Sequence, residues 1–299
     1  MSAGQTAATQ TAAVAPAPRV EGPWIRARRR FVRNRLAVVS LILLAAIHAA
    51  SAAGPSLIGQ SAFDVDPMAT LRAPGPEHPL GTDESGRDVA ARLLYGGRVS
   101  LAVGIVSVLI SVTLGTVVGA LAGYFGGTTD SVLMRTTDGF MALPTFFLLL
   151  VILAVFGGSL SSVIVVIGIT SWMALARLVR GEFLRWKAQD FVEAARALGV
   201  RDAIIMWRHL LPHTLPSVIV TATLGVAFAI LTESAISYLG LGIQLPIPSW
   251  GNMLSNSQNY LYTAPLLAVY PGTMILVTVL AYNFLGNGLR DALDPQRGA

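Results

Sequence analysis

Few residues of this chain have a type and spacing that could do chemistry. Glu233 is the clearest of them, because it lies inside an apolar run at residues 217–239. A charge at the centre of a bilayer costs roughly 2.5–3.5 kcal/mol, so an ionisable side chain in such a run needs a function or a partner. Two hypotheses follow. Glu233 is a pathway or gate carboxylate that meets a cationic group on a solute, or it forms a structural hydrogen bond to a neighbouring helix or chain.

The sequence offers little for covalent, metal or nucleotide chemistry. Cysteine is absent, which excludes disulfides, thiolate catalysis and cysteine-ligated metals. Of the four histidines, only His209 and His213 are four residues apart, and Pro212 interrupts a helix between them. Lys187, the one lysine, lacks the preceding glycine and the following Ser or Thr of a phosphate-binding loop. We therefore predict no catalytic residue, no metal and no cofactor in this chain.

The most structured polar pattern occupies residues 189–216, between two apolar runs. Asp190 is placed to cap a helix, with Glu193 three residues later as in a capping box. Gly199 can adopt the left-handed conformation that ends this helix. A second helix can begin shortly after the glycine and end before Pro212. The pattern predicts helix, glycine elbow and helix, in a cationic segment suited to contact a soluble protein.

The composition indicates a membrane protein that crosses the bilayer several times. The 299 residues are 54% hydrophobic and only 12% charged, with a mean hydropathy of +0.63, whereas about a quarter of a soluble domain is charged. The net charge of +5 does not indicate nucleic-acid binding. The positive residues flank apolar runs and form no basic patch interleaved with aromatic residues. We therefore expect an all-α integral membrane fold whose solvent is the lipid bilayer.

Six apolar segments are each long enough to span a bilayer, which takes about 17–25 residues. They cover residues 36–53, 99–124, 139–156, 160–176, 217–239 and 264–285. The first segment, with the arginines before it, is also compatible with a cleaved signal peptide. Five further apolar segments follow it, however, so we predict that it is a transmembrane helix.

The distribution of charge predicts the topology. With the amino terminus in the cytoplasm, 17 of the 21 Lys and Arg residues lie inside, which satisfies the positive-inside rule. Both termini are then cytoplasmic. The predicted regions are a disordered cytoplasmic tail and basic pre-membrane segment at 1–35, a six-helix domain at 36–290 with an extracytoplasmic loop at 54–98 and a cytoplasmic loop at 180–215, and a cytoplasmic tail at 291–299.

Three further patterns concern helix packing. In the second apolar segment glycine recurs at every fourth position, which gives a helix face without side chains that a neighbouring helix can approach closely. The alternative hypothesis is that these glycines form a hinge of the pore. These residues are Gly115, Gly119, Gly123 and Gly127. Pro144 can kink the third span. Asp138 can pair with Arg135, one helical turn before it.

Several residues of the 189–216 segment resemble a known sequence motif. Glu193-Ala194-Ala195, Gly199 and Leu211-Pro212 are similar to the EAA loop of the membrane subunits of ABC importers, the element that docks on the partner ATPase. His209 stands where that motif usually has isoleucine. The resemblance assigns ATPase coupling to these seven residues. They are Glu193, Ala194, Ala195, Gly199, His209, Leu211 and Pro212.

Motifs elsewhere extend the resemblance to most of the chain and make it more specific. These motifs lie at residues 78–88, 93–101, 123–127, 238–244, 248–251 and 288–295. Together they are similar to the C-type permease subunits of dipeptide and oligopeptide ABC importers, in the peptide/nickel-type group. That group also imports nickel chelates and glutathione, so these cargoes remain alternatives.

The resemblance implies a type I permease fold with a cytoplasmic EAA coupling hairpin, in the bacterial plasma (inner) membrane. It also implies four other subunits: a second, homologous permease, two ATPases that hold ATP and Mg, and an extracytoplasmic substrate-binding protein. A self-contained secondary transporter is the alternative from another class. It would require coupling-ion chemistry inside the membrane, and Glu233 alone is thin support for that.

Overall fold

A computed structural model describes residues 23–294 of the chain. The predicted tail before residue 23 and the last five residues lie outside the described residues. Within residues 23–294 the structure is helical, and its one β feature is an isolated bridge between Thr82 and Asp88. The all-α prediction is therefore confirmed.

Twelve α-helices occur within the described part of the chain. They are α1 (Pro23–Arg33), α2 (Arg35–Leu57), α3 (Val89–Phe125), α4 (Gly127–Met141), α5 (Thr145–Phe156), α6 (Leu160–Thr170), α7 (Trp172–Lys187), α8 (Asp190–Ala197), α9 (Asp202–Ile204), α10 (Leu211–Tyr238), α11 (Trp250–Asn256) and α12 (Leu266–Leu293). A π-helical segment, Ile205–Leu210, joins α9 to α10.

Five helical stretches are long and apolar enough to cross a membrane, and a bent pair of helices makes a sixth. The five are Arg35–Ser56, Val89–Phe125, Leu160–Lys187, Asp202–Tyr238 and Leu266–Leu293. The bent pair is α4 and α5, whose axes differ by 78°. Pro144 lies at the break between them and precedes α5 directly. The predicted kink at Pro144 is thus a complete interruption of the span.

Several spans are longer than the apolar pattern indicates. α3 begins at Val89, ten residues before the predicted start, because the Asp88 carboxylate accepts a hydrogen bond from the Ala91 N–H group at 2.7 Å and caps the helix. The 160–176 segment continues as α7 to Lys187, after a break at Ser171. Both extensions contain arginine residues, so hydropathy alone does not detect them.

The helices pack around α3, which contacts α2, α6, α7 and α10. One hydrophobic cluster fills the centre of this bundle and includes Val103, Ile167 and Ile230. A second cluster lies at the end of α3 that leads into α4, and includes Tyr124 and Phe183. The polar 189–216 segment packs against this second cluster.

The glycines of α3 form a packing face against α7, as predicted. A Cβ atom at Gly119 would lie 2.4 Å from the Ala176 carbonyl oxygen, and one at Gly123 would lie 2.7 Å from the Phe183 Cβ atom. The two backbones are therefore in close contact. Gly127 is an exception to the predicted face, because it begins α4 with φ of +53° and has no such neighbour within 4 Å.

Two ion pairs hold α4 against α7. Arg180 donates to both carboxylate oxygens of Asp130, the longer contact being 2.6 Å. Arg177 pairs with Asp138. The predicted local pair between Asp138 and Arg135 is therefore wrong, since a cation on a neighbouring helix takes the carboxylate instead.

Candidate functional site

The 189–216 segment folds as helix, glycine elbow and helix, hereafter called the coupling hairpin (Asp190–Leu211) after the role that the resemblance implies. Its first arm, α8, ends at Ala197, and Gly199 follows with φ of +74°. The Gly199 N–H group donates to the Arg196 carbonyl at 2.9 Å, and the Val200 N–H group donates to the Ala195 carbonyl at 3.1 Å. This pair of bonds is a Schellman motif, which requires a left-handed residue. The glycine elbow is confirmed.

The predicted capping box at the start of this hairpin is wrong. Gln189 is the N-cap residue, and its side chain makes no capping hydrogen bond. Asp190 is already the first residue of α8, so its carboxylate is not placed to cap as predicted. Asp190 and Glu193 both lie in the first turn of the helix. There their negative charges interact favourably with the helix dipole.

The second arm does not end before Pro212, contrary to the sequence prediction. The Leu211 N–H group donates to the Met206 carbonyl, five residues earlier, so the helix widens to a π turn directly before the proline. A π turn leaves room for a proline ring that would otherwise clash with the carbonyl four residues before it. Helical structure therefore continues without a break from Asp202 to Tyr238.

Tyr124, near the end of α3, fixes the base of the hairpin. Its hydroxyl group donates to the Asp202 carboxylate, at the start of the second arm. The Arg196 guanidinium lies 5.5 Å from the Tyr124 ring centroid, on the side of the first arm. Lys187 donates to the Tyr124 carbonyl oxygen and lies 5.5 Å from the same ring. Tyr124 was not predicted to be part of the site, although it lies in the 123–127 motif.

The coupling hairpin has one buried and one exposed face. Val192, Ala195 and Ile205 are buried against the second hydrophobic cluster. The opposite face exposes Glu193, Ala194, Gly199 and Pro212, while His209 and Leu211 are half-buried. Large apolar side chains are exposed there as well, namely Phe191, Leu198, Ile204 and Trp207. Leu198, at the tip, is 83% exposed. Such a patch is typical of a protein interaction surface.

The two histidines at helical spacing are not brought together as ligands. His213 stacks on Trp186, with ring centroids 4.5 Å apart, and lies 5.4 Å from the Phe191 ring. Among residues 23–294, no group of three or more His, Cys, Asp or Glu side chains is arranged to hold a metal ion. His213 thus contributes to packing between the hairpin and α7.

A cavity of about 430 Å³ lies between α3, the α6–α7 break and α10. Met141 and Thr145 border it from the interruption between α4 and α5. None of the described residues that line it is ionisable. Its polar groups are hydroxyls, from Ser107, Ser111, Thr145, Thr170, Ser171 and Thr221. A solute in this cavity would meet apolar walls and uncharged hydrogen-bonding groups.

Glu233 does not line this cavity. Its side chain is fully buried, and its carboxylate accepts hydrogen bonds from the Ser237 hydroxyl at 2.8 Å and the Ser100 hydroxyl at 3.1 Å. The Ser100 oxygen also accepts a bond from the Trp250 N–H group at 3.2 Å. This network joins α3, α10 and α11. The geometry favours the structural hydrogen-bond hypothesis over the pathway or gate hypothesis, and the bonds are made within this chain.

A second polar network orders the loop between α2 and α3. Asp83 accepts hydrogen bonds from the Arg87 backbone at 2.9 Å and from the Arg87 guanidinium at 2.7 Å, and it lies 3.2 Å from the Arg92 guanidinium. His78 contacts Asp88, the N-cap residue of α3, at 2.8 Å. All of these residues except Arg92 belong to the 78–88 motif. The composition of the motif therefore has a structural reason, because its side chains give the loop a defined shape.

Comparison with known proteins identifies two matching families. Residues 115–298 match the binding-protein-dependent transport system inner membrane component family. Residues 22–74 match the N-terminal transmembrane domain of oligopeptide transport permease C. The first match covers the coupling hairpin and most of the residues that line the cavity.

Individual relatives are similar over nearly the whole chain. The dipeptide transport system permease protein DppC of Alkalihalophilus pseudofirmus is 39% identical, over 92% of this chain and 90% of the relative. The oligopeptide transport system permease protein OppC of Haemophilus influenzae is 42% identical, over 91% and 88%. The glutathione transport system permease protein GsiD of Pectobacterium atrosepticum is 40% identical, over 93% and 92%.

Among solved structures, a chain of the inward-facing MetNI methionine ABC transporter matches with a TM-score of 0.54 and 21% identity. The match covers 68% of this chain and 96% of that chain, and it supports the ABC importer permease fold. The predicted resemblance is confirmed, and the protein is a multi-pass membrane transport subunit rather than an enzyme. The chain belongs to the family of binding-protein-dependent transport system inner membrane components, in the branch that carries the N-terminal domain of oligopeptide transport permease C.

Proposed function

We propose that this chain forms half of the translocation pathway of an ATP-driven importer and that its cargo is di- or oligopeptides. Two of the relatives described above are named for dipeptide and oligopeptide transport, at 39% and 42% identity. The cavity between α3, α7 and α10 is this chain's part of the pathway. Its uncharged walls and hydroxyl groups fit peptides of varied sequence, because no fixed charge selects one side-chain charge over another.

The observation that carries the mechanism is the unbroken helical path from the hairpin to the cavity. The second arm of the hairpin and the cavity wall formed by Thr221, Gly225 and Ala229 belong to one helical stretch, Asp202–Tyr238. Because Tyr124 fixes both arms to α3, a displacement of the hairpin displaces α10 and α3 together. Closure of an ATPase pair would therefore alter the cavity without covalent chemistry in this chain.

The exposed face of the hairpin is the proposed ATPase contact. Glu193, Ala194 and Gly199 lie on it beside the apolar tip residue Leu198. We assign it to one of two ATPase subunits, which bind ATP and Mg. A second, homologous permease completes the pathway, and a binding protein delivers cargo from outside. The distribution of Arg and Lys supports cytoplasmic termini in the bacterial plasma (inner) membrane.

Glutathione is the second candidate cargo, since a relative named for glutathione transport is 40% identical over 93% of this chain. Glutathione is itself a tripeptide, so the same neutral cavity suits it. Nickel chelates have no comparable support from the relatives described here. A self-contained secondary transporter is disfavoured, because no carboxylate is among the described residues of the cavity wall.

The ATPase contact is tested by replacing Leu198 with aspartate and measuring how much ATPase co-purifies with the permease. Leu198 is 83% exposed, so the substitution removes no packing inside the chain. We expect a large loss of co-purified ATPase. Met68→Asp is the matched control, since Met68 is 85% exposed but lies in the loop between α2 and α3. Equal ATPase yield from the two variants would contradict the proposed contact.

A further inference from the structure

A basic groove lies beside the cavity, with which it shares Thr221, where α1 meets the ends of α7 and α12 and the start of α10. It consists of two adjoining hollows of about 310 and 400 Å³, which share Trp186, His213 and Leu293. Four arginines border it, Arg185 and Arg290 in the first hollow and Arg26 and Arg30 in the second. Two acidic residues border it as well, Glu182 in the first hollow and Asp294 in both, which leaves an excess of positive charge. Neither the coupling hairpin nor the cavity accounts for this concentration of positive charge.

The charges in the groove are only partly neutralised. The Glu182 oxygens accept bonds from the Ser217 hydroxyl at 2.9 Å and the Trp186 indole at 3.2 Å, and lie 3.9 Å from Arg185. Arg30 donates to the Asp294 backbone carbonyl at 2.8 Å. Within residues 23–294, Arg26 and Arg290 take part in no ion pair or side-chain hydrogen bond. Arg26 in one hollow and Arg290 in the adjoining one are thus available for an anion, although Asp294 borders both hollows and lowers the positive potential there.

The walls of the groove are apolar below this ring of charge. Trp186, Pro216 and Leu293 line both hollows, so an occupant must combine an anionic head with an apolar body. Tryptophan and arginine are also the side chains that occupy the interface of a bilayer. This combination of groups fits a phospholipid better than a soluble anion.

The exposed surface of α1 points to the same environment. Ile25 and Val32 are seven residues apart, which places them on one helix face, and both are about 60% exposed. Leu36 and Val39, on the membrane-spanning α2 that follows, are exposed to the same extent. Large apolar side chains are therefore exposed on both helices, on either side of the break at Asn34. A helix with such an apolar face among arginines lies in the membrane interface.

We propose that the groove between α1, α7, α10 and α12 binds the head group of an anionic phospholipid. Arg26 and Arg290 contact the phosphate, with Arg30 and Arg185 adding to the positive potential. The acyl chain lies along Trp186 and Leu293. The site would fasten the amino-terminal helix to the end of the last span, independently of the cargo and of the ATPases.

The test uses the purified, delipidated importer complex in an uncharged detergent, titrated with phosphatidylglycerol and measured by native mass spectrometry. The double variant Arg26→Gln with Arg290→Gln should weaken binding of the tightest phosphatidylglycerol by at least about tenfold. Arg28→Gln with Arg33→Gln is the matched control. It removes the same charge from exposed positions of α1 that do not border the groove, and should change binding less than about twofold.

Four results would overturn the proposal. The control double variant could weaken phosphatidylglycerol binding as much as the groove variant, which would indicate nonspecific attraction. Phosphatidylcholine could bind as tightly as phosphatidylglycerol, which would indicate an ordinary lipid shell. Inorganic phosphate could displace the lipid, which would indicate a site for a soluble anion.

If the glutamine variant does not assemble, the double variant Arg26→Lys with Arg290→Lys is used instead. It keeps the charge but removes the bidentate contact, and should bind phosphatidylglycerol with intermediate affinity. Unchanged binding in that variant would also overturn the assignment to these two guanidinium groups.

Discussion

The glycine face between α3 and α7 offers a quantitative test of the fold. Gly119 is the closest point of contact, since a Cβ atom there would lie 2.4 Å from the Ala176 carbonyl oxygen and 2.8 Å from the Val179 Cβ atom. An ordinary contact of this kind is 3.4–4 Å. The substitution Gly119→Ala therefore requires the two helices to move apart by about 1 Å, and we expect it to destabilise the protein.

The magnitude follows from a matched pair of variants. Gly181 lies on α7, and a Cβ atom at Gly181 would have no such neighbour within 4 Å. Both substitutions gain about 1 kcal/mol from the higher helix propensity of alanine. Only Gly119→Ala also overpacks an interface, at a cost of about 1–3 kcal/mol. The difference between the two variants therefore isolates the packing cost.

The assay is the half-life of the purified complex at a fixed elevated temperature, because membrane complexes of this kind unfold irreversibly. If the whole packing cost raises the unfolding rate, the half-life of Gly119→Ala should be about five- to hundredfold shorter than that of Gly181→Ala. Equal half-lives would refute the close contact between α3 and α7. A shorter half-life for Gly181→Ala would refute it as well.

Three other predictions concern the hairpin, the buried carboxylate and the topology. Gly199→Val should impair ATP-dependent transport, because valine disfavours the φ of +74° at the elbow, whereas Gly199→Asn should retain most of it; equal transport by both would contradict the role of the elbow. Glu233→Ala should lower the free energy of unfolding by about 1–3 kcal/mol, measured in the purified complex, and a selective loss of transport of cationic peptides with unchanged stability would restore the gate hypothesis. Since native cysteine is absent, Tyr262→Cys should react with an impermeant thiol reagent in intact cells, and Leu198→Cys only after the membrane is opened; labelling of Leu198→Cys from outside would invert the topology.

Much of the fold could be predicted from the sequence, because apolar length and glycine spacing report directly on spans and close packing. The elbow at Gly199 and the glycine face at Gly119 are local features with one dominant physical cause each. The interruption at Pro144 is also a local feature, and the proline in the sequence predicts it. The sequence does not show, however, that the kink is a break of 78°.

The incorrect predictions share another cause, which is competition between local and tertiary interactions. Pro212 ends a regular α-helix, but the π turn before it removes the clash and lets the helix continue. Asp138 has a cation one turn away on its own helix, yet Arg177 of α7 is the partner. Tyr124 was missed because its contact with Asp202 joins residues 78 positions apart. A single sequence carries no signal of such a pair.

We expect this permease to move peptides only when its hairpin is coupled to ATP hydrolysis by partner subunits. The direct test is uptake of a labelled di- or oligopeptide into proteoliposomes that contain this chain, its partner permease, both ATPases and the binding protein. We predict uptake that requires ATP and the binding protein, and that is lost with Leu198→Asp. Two results would contradict this dependence on ATP hydrolysis by partner subunits. One is peptide uptake by liposomes that contain this chain alone, and the other is uptake by the complete complex without ATP.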